Sequence, residues 1–422
     1  MAQRPEIGAL ATQTQGSRWV PIPDQSAKRA VLPTGGRTDP YRYADRMAIK
    51  EAAAWISSGF AGLIIGAILG LLVTVAFEDR LKRMLDRAIR KMRSLLAKPA
   101  APKTADFHFG GISSQCIIVA GDGSSRIREE LVHLVVSNEP LELPAELAAW
   151  RSEVEAEEQA KAEARLPHKW NGNCFAVEDL VEERTIHNEE IEIFLKLRRT
   201  DYYSFLATQH LDRRFRDGST PRSRYIDPVG HRRAPAFMSL SLGTSVLVIT
   251  TDNRVLVCQR GSDVGSRPLH WGVSADEGLS GALDSPSGLP PRLHAAARRG
   301  LGEELSLEDH EYQLYLLGVT IDTERHQWDS VFVAYADDLS SSDLDQRLRR
   351  GAKDSTLEIA SWEFIPFDTK SILERLHANR SGQWWTPIAP VALYLALVHE
   401  YGRWRVERSG RQYAKRTARQ SS

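Results

Sequence analysis

Twenty-six consecutive residues without a charge, Ala52 to Phe77, constrain this chain more than any other feature. About 20 apolar residues cross the hydrocarbon core of a bilayer as a helix, so the run reads as one transmembrane span. A cleaved signal peptide has a shorter apolar stretch nearer the N-terminus; a buried core helix is the remaining alternative. Before the run stand Arg37, Arg42, Arg46 and Lys50, and after it Arg80, Lys82, Arg83, Arg87, Arg90, Lys91 and Arg93. Basic residues resist translocation, and the excess after the run predicts a single-pass membrane protein with its C-terminal domains in the cytoplasm. Gly62, Gly66 and Gly70 recur every four residues on one face of the span, which suits a homodimer contact, although glycine is common in membrane helices generally.

The flanks divide readily. Residues 1–50 have scattered Pro, Gly, Gln and charge with no sustained period, the composition of a disordered segment. Residues 78–97 repeat Leu81, Met84, Leu85, Ala88, Ile89, Met92 and Leu96 at helical spacing among basic residues. That pattern suits a helix lying on an anionic leaflet or a short coiled coil continuing the span. Residues 98–105, KPAAPKTA, form a linker. Acidic and basic residues balance at 55 each, so no global field points to nucleic acid. Cys116, Cys174 and Cys258 lack disulfide or zinc spacing and read as reduced core thiols.

Residues 106–238 read as an α/β region without an assigned function. Gln115 to Gly121 is a buried strand, followed by a Gly-Asp-Gly turn and a helix expected around Arg126 to Val136. No phosphate-loop fingerprint accompanies that turn, so a plain turn is the preferred reading. Ala145 to Arg165 suits an exposed helix, and an alternating run from Glu190 passes into the aromatic cluster Tyr202, Tyr203 and Phe205.

From Ser241, LGTSVLVIT and RVLVCQR flank Thr251, Asp252 and Asn253 as a β-hairpin. Arg292 to Leu305 forms a helix with Leu293, Ala297, Leu301 and Leu305 as its apolar stripe. Glu303 and Glu304 fall off that stripe and are expected to face solvent. Further strands follow in YLLGVTI, SVFVAYA and EIASWEFIPF, then a helix from about Ala389 to Tyr401.

These residues resemble the Nudix hydrolase superfamily. Arg299, Leu301, Glu303, Glu304 and Leu307 match the second half of its box, and Trp271 to Gly278 is similar to the turn before the family's helix. The resemblance covers residues 239–401. It implies an α+β fold, a Nudix-like α/β/α sandwich with a mixed sheet, beside the additional α/β region and the transmembrane helix. It also implies Mg²⁺ held by Glu303 and Glu304, catalysis by these residues with Glu277, and Arg299 orienting the neighbouring carboxylates at the binding site of a nucleotide-type small molecule, while Arg260, at the end of the hairpin, is placed to meet a phosphate or to stand as an exposed strand-end arginine. Several positions depart from the box: Ser285 and Pro291 replace its Gly and first Glu, Gly300 the Glu after Arg, and Ser306 the late Gly. A substitute carboxylate would come from Asp276, Glu277 or Asp284, with Glu277 preferred because it directly follows the turn. His270, His294 and His326 have no ligand spacing.

Two functions follow from the resemblance. One is a membrane-anchored, Mg²⁺-dependent hydrolase of a nucleoside diphosphate linked to another moiety. The other is a catalytically degenerate Nudix fold that senses a nucleotide ligand or binds a protein. Residues 402–422 form a basic tail in which Arg403, Arg405, Arg408, Arg411, Lys415, Arg416 and Arg419 face one acid, Glu407. Such a tail favours the anionic leaflet. Trp404 and Tyr413 alone are available for stacking, so nucleic acid is not expected.

Overall fold

A computed structural model describes residues 107–421, apart from 187, 263, 265, 286–288, 352–357 and 379–383. The expected span at 52–77, its Gly62, Gly66 and Gly70 face, the juxtamembrane helix, the N-terminal segment and the linker lie outside these residues. Among the described residues no helix is long and apolar enough to cross a membrane. The described residues belong to one compact unit, and its fold is mixed α+β.

The chain begins with the short strands β1 (Phe107–Phe109), β2 (Ile112–Ser114) and β3 (Cys116–Ala120). β4 (Val132–Ser137), helix α1 (Ala145–Glu163), β5 (Asn173–Arg184), β6 (Ile191–Asp201) and α2 (Tyr202–Thr208) follow. The hairpin strands β7 (Leu242–Ile249) and β8 (Arg254–Arg260) precede β9 (Ala275–Gly278) and α3 (Leu293–Leu305). Then come β10 (Tyr312–Asp322), β11 (Gln327–Ala336), α4 (Ser341–Arg350) and β12 (Ile359–Pro366). The helices α5 (Thr369–His377), α6 (Ile388–Tyr401) and α7 (Arg403–Ser421) close the chain.

The main sheet runs β12-β8-β7-β11-β10-β3, with β9 also paired to β7. It is mixed, because β7 and β11 are parallel while its other pairs are antiparallel. Side chains alternate across a strand, and this alternation sorts β7 into two faces. Leu242, Val246 and Val248 join the apolar stripe of α3 in one core, whereas Leu247 and Ile249 join α6 in the other. The sheet thus has helices on both faces. In α6, residues Ile388 to Val398 are all buried, and so long an apolar run suits a helix enclosed on several sides rather than an amphipathic one.

The region before residue 239 contributes to this same body. β3 extends the main sheet as an edge strand on β10. β4, β6 and β5 form a separate three-stranded sheet, whose Ile191, Ile193, Leu195 and Leu197 belong to the core that contains α3. No helix spans the expected stretch from Arg126 to Val136. A 3-10 turn at Glu129–Leu131 leads directly into β4, since Val132, His133, Val135 and Val136 favour an extended chain. The tail after residue 402 is helical, and Val406 and Gly410 are its buried positions. Cys116 and Cys258 are buried, Cys174 is half-buried, and all three are free thiols.

The Gly-Asp-Gly turn owes its glycines to backbone contact. A Cβ at Gly121 would lie 2.5 Å from the Leu317 carbonyl oxygen, and one at Gly123 would lie 2.6 Å from that of Leu395. Across the seam, a Cβ at Gly318 would lie 2.7 Å from the Ala120 oxygen. Backbone cannot yield as a flexible side chain does. Gly318→Ala is therefore expected to destabilise the protein by about 1–3 kcal/mol, read as a lower denaturation midpoint with an unchanged m-value.

Candidate functional site

β7 pairs with both β8 and β9, and the fork between those partners creates the candidate site. Near the hairpin end, Ile249 of β7 opposes Val255 of β8. Further along, Gly243 to Val246 oppose Gly278 to Ala275 of β9. β9 thereby brings Asp276 and Glu277 beside α3, although ADEG has little β-propensity of its own.

Arg299 gathers the elements around α3. Its Nε and Nη2 donate to both carboxylate oxygens of buried Asp284 at 3.1 and 2.9 Å, and Nη2 also donates to the Gly278 carbonyl at 2.9 Å. Nη1 lies 2.8 Å from Glu277 and 3.5 Å from Glu303. The planar guanidinium is suited to such forked pairing. These ionic partners hold the Arg299 pKa above its usual value, against the opposing effect of burial.

Glu304 does not face solvent as expected. It is only 5% exposed, and its Oε1 accepts a hydrogen bond from the Asp276 amide at 3.0 Å. β9 covers this face of the helix, a tertiary contact that helical periodicity does not encode. Burial pushes the Glu304 carboxyl well above the usual range, with repulsion from Glu358 and Asp276 adding to the shift and the Asp276 amide opposing it. Glu277 is also raised, chiefly by burial and against the pull of Arg299. Glu303 is half-buried beside Arg299.

β9 passes close to α3 at Gly300. A Cβ at Gly300 would lie 3.0 Å from Cβ of Glu277 and 3.6 Å from Oε1 of Glu304. Glu277 thus approaches the place left by Gly300, with its own carboxylate on Arg299. Mg²⁺ needs several hard oxygens arranged around one point. Glu277 and Glu303 both pair with Arg299, and Glu304 accepts from backbone; among the described residues no group of three or more His, Cys, Asp or Glu side chains is placed to hold a metal ion. This arrangement does not fit the ion.

Two adjoining cavities open at the fork. One, of about 190 Å³, is bordered by Tyr202, Phe205, Arg260, Arg267, Asp329 and Thr386. The other, of about 160 Å³, is bordered by Cys258, Glu304 and Glu358. Arg260 and Asp276 line both and form an ion pair. Arg260 Nε also donates to the Ser266 carbonyl at 3.0 Å. In the larger cavity, Asp329 Oδ2 accepts from Ser245 at 3.0 Å, while Oδ1 of Asp329 and Oγ1 of Thr386 are buried without a hydrogen-bond partner. Burial, reinforced by Asp276, holds the Asp329 carboxyl well above its usual range.

Sequence reasoning missed Asp329, Thr386 and Arg267. Asp329 carried a readable signal, an acid inside the apolar strand QWDSVFVAYA; Arg267 and Thr386 lie outside helices and strands and carry none. His270, His294 and His326 do not converge. His270 bonds the Pro268 carbonyl, His294 packs edge-on to Phe332, and His326 bonds Ser239 and His231.

No family model matches the chain, and no curated protein matches it. Among solved structures, it is similar to DR0079 from Deinococcus radiodurans at 13% identity and a TM-score of 0.27, over 36% of this chain and 81% of that one. A likeness this slight carries no argument about fold or function.

The two helix glycines should respond differently to alanine. Near Gly302 an added Cβ meets only the Leu307 oxygen, at 3.7 Å, so Gly302→Ala should stabilise by about 0.5–1 kcal/mol. Gly300→Ala should instead destabilise by about 1 kcal/mol or more, because its Cβ must displace Glu277. Denaturant titration of both variants checks the contrast. A raised folded-state carboxyl contributes full stability below its unfolded pKa and loses that contribution as pH rises towards the folded value. Glu304→Gln should therefore gain stability relative to the parent as pH increases above the ordinary glutamate value of 4.5, measured as a widening gap between denaturation midpoints.

Proposed function

We propose that residues 239–401 form a Nudix-like domain that binds a nucleotide-type small molecule at the β7–β8–β9 fork without hydrolysing it. The observation carrying this reading is the pair of unpartnered buried atoms, Asp329 Oδ1 and Thr386 Oγ1, on two residues that line one cavity. Unpaired buried polar atoms are costly, and a ligand edge with matching donors and acceptors would satisfy them. Arg260, paired with Asp276, and Arg267, paired with Asp322 and Glu324, are the cationic groups that a diphosphate would meet, and Tyr202 and Phe205 supply aromatic faces for a base. Each cavity is smaller than a usual nucleotide site, so the ligand would extend across the shared Arg260 wall. Support for Nudix-like architecture comes from the mixed sheet between helices and the RGLGEEL segment on α3. The membrane anchor in this proposal rests on the uncharged run at 52–77.

One observation favours the hydrolase reading instead: Glu277 approaches the position of the missing box carboxylate beside Gly300. Assays with ADP-ribose and other nucleoside diphosphate compounds separate the two. The binding reading predicts calorimetric binding and background phosphate release with Mg²⁺ present. Arg260→Ala should weaken binding roughly 10- to 100-fold, the usual value of a hydrogen bond to a charged group. Mg²⁺-dependent turnover lost in Glu277→Gln would select the hydrolase, and failure of the whole panel to bind would remove the nucleotide reading.

A further inference from the structure

Helix α7 divides lengthwise into two faces. Val406 and Gly410 are buried, and Tyr413 and Thr417 are half-buried, at spacings of four, three and four residues. This stripe holds the helix to the body, where a Cβ on Gly410 would lie 2.7 Å from the Phe109 ring. Nearly opposite lie Arg405, Arg408, Gln412, Lys415, Arg416 and Arg419, one to four residues apart and all exposed. The sole acid in the helix, Glu407, lies off this stripe and bonds Tyr394 and Arg411. Arg403 pairs with Asp122. Arg403 and Arg411 at the margins thus have acidic partners, and no acid of α7 lies on the stripe itself.

Two features adjoin it. Trp404 is 65% exposed at the start of the helix, with the Arg408 guanidinium over its ring. A cleft of about 310 Å³ separates α7 from the start of α5 and is lined by Lys370, Arg405, Arg416, Gln412 and Tyr413. Its one acid, Asp368, caps α5 by accepting from the Lys370 and Ser371 amides.

We propose that α7 docks on an anionic bilayer surface, with its cationic stripe along the leaflet, Trp404 at the interface and a lipid phosphate in the cleft. Nineteen residues form a rod of about 28 Å, so the charges present an extended line to a flat surface. Tryptophan favours the membrane interface, whereas single-strand binding uses several stacking aromatics and this face exposes one. The uncharged run ends at Phe77, thirty residues before Phe107, a connection that spans at most about 100 Å. The inference rests on that membrane reading and is independent of the ligand at the β7–β8–β9 fork.

The full chain reconstituted in nanodiscs tests it, with an environment-sensitive fluorophore on the Gln412→Cys variant. Incorporation into discs reports the anchor separately from docking. Emission should rise in discs containing phosphatidylserine relative to phosphatidylcholine alone, and high salt should reverse the rise. Arg405→Gln with Arg416→Gln should reduce apparent affinity for the anionic surface roughly fivefold per charge, and Arg405→Glu with Arg416→Glu should abolish the rise. Unchanged circular dichroism confirms that these exposed substitutions leave the helix intact. Equal emission in neutral and anionic discs, a rise insensitive to both double variants, or a response to a single-stranded oligonucleotide but not to anionic lipid would each overturn the proposal.

Discussion

The guanidinium of Arg299 is the contact on which the site depends. It ties α3 to β9 through Glu277 and the Gly278 carbonyl, and to the loop before the helix through Asp284. β9 is only four residues long, and short strands contribute few ladder bonds. The Arg299 contacts hold β9 against α3 in a position where Asp276 bonds Glu304 and Glu277 crosses Gly300. Glycine at 300 follows from the same approach, because a larger residue would push β9 away from the helix.

This clamp also redistributes the acids. Several carboxylates in a low-dielectric region repel unless cations or donors compensate them. Here Arg299 compensates Glu277, Glu303 and Asp284, and Arg260 compensates Asp276. Burial raises Glu304 and Asp329 well above their usual range, and raises Glu277 even against the pull of Arg299. In the lining of the larger cavity, Asp329 Oδ1 and Thr386 Oγ1 carry unmet hydrogen-bonding capacity.

Ser306, at the end of α3, adopts a left-handed backbone. Its φ of 54° lies where glycine is favoured, so the helix still ends in the turn that a glycine would make. Ser306 N–H bonds the Gly302 carbonyl, while Arg347 holds the Ser306 carbonyl from α4. Tertiary contacts thus maintain a backbone conformation that serine alone disfavours.

Sequence alone determined the elements whose signal is local. Alternating apolar residues marked β6, β7, β8, β10 and β11, the i+4 stripe marked α3, and the apolar run marked α6. Each reflects burial of one strand or helix face, and that periodicity is written in neighbouring residues. Tertiary structure decided what local signal could not encode: β9 from a stretch of low β-propensity, β3 as an edge of the main sheet, and the helical tail. It also decided the burial of Glu304 and the placement of Asp329 and Thr386 in the lining of one cavity. Residues distant in the chain impose these features on one another, and a carboxylate's environment depends on which of those neighbours reach it.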